Sequence, residues 1–223
     1  MDEEPVVKKR KKKNSQDQQL VNRITIIKDI LNGLQYNPEI MLILSEWGYS
    51  DLSEGVALQE SAFMAYSARQ GAIGDQLNAT EAIQAVNKAA RSGYGDFRKL
   101  ARIVFKDNAT RLALNLNGRV FADRVRFLHQ ARAGYEAALT PDYAPALAKR
   151  GCTRPDIEAG LALLDALVAA EDAQTAAKAA ALDATARRTA AMQRLNAWFG
   201  EFHAIAKLAL GDHTEWLPLL KLR

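Results

Sequence analysis

Two long stretches of the chain carry mostly apolar residues at alternating steps of four and three positions. In the second stretch this stripe consists of Leu163, Leu167, Ala170, Gln174, Ala177, Ala181, Ala184, Arg188, Ala191, Leu195, Trp198, Phe202 and Ile205. In the first stretch it consists of Leu58, Ala62, Ala65, Arg69, Ala72, Gln76, Ala79, Ile83, Val86, Ala90, Gly93, Phe97 and Leu100. This spacing keeps one face of an α-helix apolar over several heptads. It predicts two long helices with coiled-coil-like seams, and the alanines at mid-seam predict close antiparallel packing.

A shorter amphipathic pattern precedes each long stretch. The first predicts a helix from about Gln18 to Tyr36, followed by a restart at Asn37-Pro38, with Asn37 as the N-cap. The short helix that follows ends at Gly48, because glycine readily adopts the backbone conformation that closes a helix.

The second pattern repeats this order. It predicts a helix from Val120 to Leu139, a restart at Thr140-Pro141-Asp142 and a stop at Gly151, after which Thr153 with Pro155-Asp156 opens the long helix. The seams keep phase through Gly95 and Gly200, which favours a continuous or bent helix, whereas Gly93-Tyr94-Gly95 favours a break. The sequence therefore leaves open whether the chain continues or reverses at these glycines.

The chain also contains an internal repeat. The block Tyr94–Phe105 returns 105 residues later as Phe199–Leu210, with most differences preserving size or charge. Gly55 and Gly160 are related by the same shift. A repeat at a fixed spacing indicates a duplicated structural element. We therefore predict an all-α helical bundle built from two tandem, duplicated units with long antiparallel coiled-coil-like helices.

The predicted organisation has four segments. Residues 1–17 form a disordered basic tail, residues 18–117 the first repeat, residues 118–217 the second repeat and residues 218–223 a C-terminal tail. We expect the two repeats to share one bundle. Trp47 and Trp216 are expected in the core, and the apolar segment at residues 216–220 is expected to dock on the bundle.

Composition narrows the class of protein. The chain is rich in good helix formers and has no long run of β-branched and aromatic residues at period two. Its one cysteine, Cys152, excludes an intrachain disulfide and a multi-cysteine zinc site, and we expect it to be unreactive. No run of 18 apolar residues and no apolar leader segment are present, so we expect a cytoplasmic protein without membrane insertion.

The net charge of +4 owes much to one cluster near the N-terminus. Six adjacent cations stand there: Lys8, Lys9, Arg10, Lys11, Lys12 and Lys13. They are candidate contacts to nucleic acid or to an acidic surface, through phosphate attraction rather than base stacking, because no aromatic residue interleaves them. A second basic strip, Arg98, Lys99, Arg102 and Lys106, is interpreted as a solvated helix face.

Four polar residues interrupt the seams: Arg69, Gln76, Gln174 and Arg188. A buried arginine is costly unless it is paired. We interpret these residues as fixing the register of the helices or emerging beside short alanines into solvent. The alternative is that they line a polar pocket or groove.

No motif for catalysis, cofactor binding or metal binding is present. The three histidines have no ligand-pair spacing on one helix face, and no Gly-x-Ser-x-Gly, Glu-x-x-His or phosphate-loop motif occurs. We therefore predict no catalytic, cofactor-binding or metal-binding residue and a protein that is not an enzyme.

Three hypotheses for function follow from this sequence. The leading one is a non-enzymatic interaction or scaffold module whose partner is protein, either a second copy of this chain or another protein. The second is association with nucleic acid through the basic tail. The third is a carrier that binds a small apolar ligand between its alanine-rich helices.

Overall fold

The computed structural model describes the backbone of residues 5–213, 215–218 and 220, and side chains from residue 16 onward within those ranges. The described chain is all-helical, without a strand, as predicted. Its helices are α1 (Pro5–Gln35), α2 (Pro38–Glu46), α3 (Ser53–Val104), α4 (Asn108–Ala113), α5 (Arg124–Ala138), α6 (Ala144–Ala148) and α7 (Arg154–Ala209).

The chain divides into two compact units, and the boundary falls inside both long helices. Met1–Ile73 and Ala181–Arg223 form one, which we call the terminal unit because it holds both chain ends. Gly74–Ala180 form the other, the central unit. Their boundaries differ from those of the predicted repeats 18–117 and 118–217, because α3 and α7 each contribute one part to each unit.

The terminal unit has its own hydrophobic core. Ile27, Leu31 and Leu34 of α1 are 1% exposed and pack with Leu44 of α2 and Leu195 of α7. Their spacing along α1 is the three- and four-residue step that the sequence predicts for an inward helix face.

The central unit is built on a second, separate core. Tyr94 of α3, Phe127 of α5 and Leu147 of α6 are completely buried there, together with Leu164 and Leu167 of α7. Tyr94 meets Phe127 edge-on with ring centroids 6.0 Å apart, one of the geometries that aromatic pairs favour.

Every seam position of α3 and α7 is buried or half-buried. Polar members of the seams follow the same rule: Arg69 is 8% exposed, and Gln76, Gln174 and Arg188 are half-buried. The four-and-three pattern therefore identified an inward face of α3 over residues 58–100 and of α7 over residues 163–205.

Both long helices are continuous through the glycines at which the sequence left reversal open. Gly95 lies inside α3 and Gly200 inside α7. The glycines that do end helical segments are Gly48 and Gly151, with φ of 93° and 85°, in the left-handed region that side chains avoid.

The N-terminal helix starts earlier than predicted. α1 begins at Pro5, whereas the sequence predicts a helix only from about Gln18 and a disordered tail over residues 1–17. Lysine, arginine and glutamine are good helix formers, which favours extension of the amphipathic segment toward the N-terminus. The side chains of Lys8, Lys9, Arg10, Lys11, Lys12 and Lys13 lie outside the described residues, so their contacts stay a prediction.

Two other expectations need correction, and one is confirmed. Trp47 is 49% exposed and is not a core residue, because it directly follows the last turn of the short helix α2. α5 begins at Arg124, not Val120, since Asp123 caps it by accepting a hydrogen bond from the Arg126 N–H. The C-terminal segment docks as expected: Leu220 is 1% exposed in the terminal core, with Trp216 beside it.

The second basic strip is not simply a solvated face. Arg98 is 4% exposed, and its Nη2 donates to the carbonyl oxygens of Leu116 at 2.7 Å and Gly118 at 2.8 Å. Arg102 donates to the same two carbonyls. These hydrogen bonds hold the loop after α4 against α3 and give the buried residue Leu116 donors for its carbonyl oxygen.

Candidate functional site

The structure brings two of the four polar seam residues together in the terminal unit. Arg69 of α3 and Arg188 of α7 both contact Asp17 of α1. Arg69 Nη1 lies 3.3 Å from each Asp17 carboxylate oxygen, and Arg188 Nη1 lies 3.3 Å from Oδ1. These distances exceed the 2.7–2.9 Å typical of charge-assisted hydrogen bonds, so one carboxylate is loosely shared by two guanidinium groups.

The arginine cluster lines a cavity of about 430 Å³. Besides Arg69, Arg188 and Asp17, its walls include Arg23 of α1. Arg23 donates through Nε to Asn196 Oδ1 and stands 5.9 Å from the centre of the Phe199 ring. Three arginines and one aspartate thus face the same space, which leaves it positively charged.

Burial makes this charge arrangement costly. The side chains of Arg69, Arg188 and Asp17 are 10%, 16% and 24% exposed. Desolvation lowers the pKa of Arg188, and the neighbouring positive charge of Arg69 lowers it further. Among the described residues, nothing accepts a hydrogen bond from the buried Nε of Arg69. The arginines of this cluster therefore offer more hydrogen-bond donors than the Asp17 carboxylate accepts.

The two glutamines of the seams lie in the central unit and do not join the arginines. Gln174 Nε2 donates to Thr80 Oγ1 at 3.2 Å, and Thr80 Oγ1 donates to the Gln76 carbonyl at 2.8 Å. Lys178 Nζ donates to Gln174 Oε1 at 3.1 Å. The side chain of Gln174 and the backbone carbonyl of Gln76 thus have hydrogen-bond partners within the central unit.

The central unit contains a second cavity, of about 320 Å³, with mostly apolar walls. The walls come from α3, α5 and α7 and include Phe97, Leu100, Tyr135, Ile157 and Leu163. Cys152, Asp96 and Asp156 also line it, and no lysine or arginine among the described residues does.

Two glycines shape this cavity. A Cβ on Gly160 would lie 2.5 Å from Tyr135 Cζ, so the tyrosine ring occupies the place of a side chain there. A Cβ on Gly93 would lie 3.8 Å from Tyr135 Oη, which is an ordinary contact distance. The structure therefore has room for a Cβ at residue 93.

The lone thiol at the cavity is not activated. Cys152 is half-buried, and burial raises the pKa of its thiol, with the Asp156 carboxylate raising it further. A thiolate is the reactive form, and both effects oppose it.

Sequence reasoning missed Asp17, Arg23 and the central cavity. Asp17 falls in the segment predicted as a tail, and its signal was indirect: two arginines in a seam require a counter-charge from another helix. The signal for the cavity was Gly93 itself, which stands in the seam where the other repeat has Trp198.

Among the described residues, no three His, Cys, Asp or Glu side chains are grouped so that they could hold a metal ion. No described helix has the length and apolar character needed to span a membrane. Comparison of the chain with protein-family models, with curated proteins and with solved structures gives no match.

Proposed function

We propose that this protein is a non-enzymatic binding protein that carries a small apolar ligand in the cavity of its central unit. The observation that carries the proposal is the cavity itself, about 320 Å³ with walls that include Phe97, Leu100 and Leu163. Small-molecule sites are concave, mostly apolar and begin at about 300 Å³. Of the three hypotheses from the sequence, the carrier is the one this cavity favours.

The lining defines the class of ligand. Phe97 and Tyr135 present aromatic rings whose centroids are 4.8 Å apart, a surface suited to a flat or compact apolar molecule. Asp96 and Asp156 are among the lining residues; Asp96 pairs with Lys99 Nζ at 2.9 Å, and Asp156 accepts a hydrogen bond from the Thr153 N–H. Anionic ligands are disfavoured by these carboxylates, so the ligand is neutral or cationic.

The internal repeat supports the proposal by contrast. At the shift of 105 residues it pairs Gly93 with Trp198. Alignment of the helix-ending glycines Gly48 and Gly151, which are 103 residues apart, pairs Tyr49 with Cys152. In the terminal unit Trp198 stacks on Phe202 at 5.2 Å, and Tyr49 meets Phe202 edge-on at 5.2 Å. We infer that one copy of a duplicated element is closed by aromatic rings and that the other copy has become a binding site.

We also propose that the architecture is duplicated and that the seams of α3 and α7 pack antiparallel. Within the terminal unit, Gly55 meets Trp198, while Arg69 shares Asp17 with Arg188. Residue numbers therefore rise along α3 as they fall along α7. Within the central unit, Thr80 meets Gln174, and a Cβ at Gly93 would contact Leu163. Both sets of contacts support antiparallel pairing of the two long helices.

A matched set of variants tests the carrier function. Gly93→Trp introduces the residue of the other repeat and should fill the cavity, whereas Gly93→Ala adds one methyl group at ordinary contact distance. Isothermal titration with indole and indole-3-acetate measures binding. We expect wild type and Gly93→Ala to bind indole, with weaker binding of the acid, and Gly93→Trp to lose binding while keeping its helical circular dichroism.

Two outcomes would contradict the proposal. One is equal indole binding by Gly93→Trp and wild type, which would place the ligand elsewhere. The other is no binding by wild type at the solubility limit of indole, together with the absence of a copurifying small molecule in native mass spectrometry.

A further inference from the structure

We propose that the arginine cluster of the terminal unit is a binding site for a phosphate group on a small molecule. The site consists of Arg23, Arg69 and Arg188, with Asp17 at its side. It is independent of the apolar cavity in the central unit, since it shares no residue with it.

Charge is the first argument. Three guanidinium groups and one carboxylate line the cavity, an excess of two positive charges. Arg69 and Arg188 are at least four-fifths buried as side chains, so bulk water screens this excess poorly. A phosphomonoester near neutral pH carries about two negative charges, which matches the excess.

Hydrogen-bonding capacity is the second argument. Each guanidinium has five N–H donors in a fixed planar fork that matches phosphate oxygens. Asp17 accepts from one nitrogen, Nη1, of Arg69 and of Arg188, at 3.3 Å in each case. Burying an unpaired donor is costly, and the Nε of Arg69 is buried with no acceptor among the described residues. Phosphate oxygens in the cavity would accept hydrogen bonds from the arginine N–H groups that Asp17 does not engage.

Space is the third argument. A cavity of about 430 Å³ exceeds what an inorganic phosphate ion fills. Gln16 and Gln19 of α1 also line it and offer amide groups to the rest of a ligand, while Leu20 adds an apolar patch. The ligand is therefore a phosphorylated small molecule with a polar body, such as a sugar phosphate.

Isothermal titration of the full chain tests the site with three probes: ribose 5-phosphate, ribose and inorganic phosphate, at constant ionic strength. We expect ribose 5-phosphate to bind and ribose not to bind. Weaker binding of inorganic phosphate would support a phosphorylated small molecule as the ligand, and binding of inorganic phosphate with equal affinity would overturn that assignment. A phosphodiester dinucleotide that binds more tightly than ribose 5-phosphate would overturn the assignment.

Two neighbouring arginines provide a matched control. Arg188→Gln removes a cavity donor and should lower the affinity about tenfold, as expected for loss of charge-assisted hydrogen bonds. Arg187→Gln removes the same charge from an exposed side chain that pairs with Asp183, and should leave the affinity within about twofold. Equal losses in the two variants would overturn the proposal, since they would report only general electrostatic attraction.

The Asp17→Asn variant distinguishes a ligand site from a cluster in which Asp17 only balances the charge of the arginines. If Asp17 only balances the arginines, this variant is less stable and binds nothing new. On our proposal, Asp17 competes with the ligand, so Asp17→Asn should bind ribose 5-phosphate more tightly than wild type and should recover thermal stability when the ligand is added. Unchanged or weaker binding by a folded Asp17→Asn variant would overturn the proposal.

Discussion

At the scale of single residues, glycines decide where rings can pack. A Cβ on Gly55 would lie 2.1 Å from Trp198 Cη2, and one on Gly160 would lie 2.5 Å from Tyr135 Cζ. Each glycine therefore accepts an aromatic ring against its backbone. Gly95 differs, because a Cβ there would meet nothing within 4 Å. Sequence alone treats these helical glycines alike, since their different roles depend on what another helix places opposite them.

This contrast gives a prediction for two alanine variants. Gly160→Ala should lower the free energy of unfolding by about 1–3 kcal/mol, because the methyl group displaces the Tyr135 ring in a packed core. Gly95→Ala should raise it by about 0.5–1 kcal/mol, because alanine has the better helix propensity and the site is open. Urea unfolding followed by circular dichroism measures both. A Gly160→Ala variant as stable as wild type would mean that the tyrosine ring moves at no cost.

At the scale of elements, the helix starts were predictable and their caps less so. Asn37-Pro38 does begin α2, yet Asn37 makes no side-chain capping bond and donates instead to the Gly33 carbonyl at 2.7 Å, at the end of α1. The long helices begin beside aspartates: Asp51 accepts from the Ser53 N–H at 2.8 Å, and Asp156 accepts from the Thr153 N–H at 2.7 Å. Short-range sequence signals place such turns, while the direction of each side chain depends on its local partners.

The start of α3 makes stability depend on pH in a defined way. Hydrogen bonds from Ser53 lower the pKa of Asp51, so its carboxylate stabilises the fold above the unfolded-state pKa of about 4. That contribution is lost as pH falls through the lowered folded-state value. Asp51→Asn should therefore be less stable than wild type at pH 7, and the difference should shrink by about pH 3. Urea midpoints at the two pH values measure this, with the exposed Asp75→Asn as control; a difference that persists at low pH would contradict it.

At the scale of the whole molecule, chain topology makes the two units unequal. The central unit is one continuous segment, Gly74–Ala180, whereas the terminal unit is assembled from two segments that the central unit separates. Within the central unit, Thr80 of α3 bonds to Gln174 of α7, so folding there brings distant parts of the chain together. Closing a long loop costs conformational entropy, and a folded central unit removes much of that cost for the terminal unit.

This asymmetry can be measured because all three tryptophans, Trp47, Trp198 and Trp216, lie in the terminal unit. Leu147→Ala truncates a fully buried side chain of the central core, at a cost of about 2–5 kcal/mol. We expect it to lower the urea midpoint seen by tryptophan fluorescence as well as that seen by circular dichroism. Leu44→Ala, in the terminal core, should lower the fluorescence midpoint and leave a helical fraction that unfolds later. An unchanged fluorescence midpoint in Leu147→Ala would contradict the coupling.

The sequence by itself determined the local features of this protein. Helical class, the inward faces of α3 and α7 and the turns at Gly48 and Gly151 follow from periodicity and backbone preference, which act over a few residues. Tertiary structure alone decided which distant residues meet: Asp17 with Arg69 and Arg188, Tyr135 with Gly160, and Arg98 with the loop after α4. Those contacts join positions on different elements, and local preferences do not specify them. Both candidate sites arise from such contacts, because each cavity is shaped by side chains that only packing brings together.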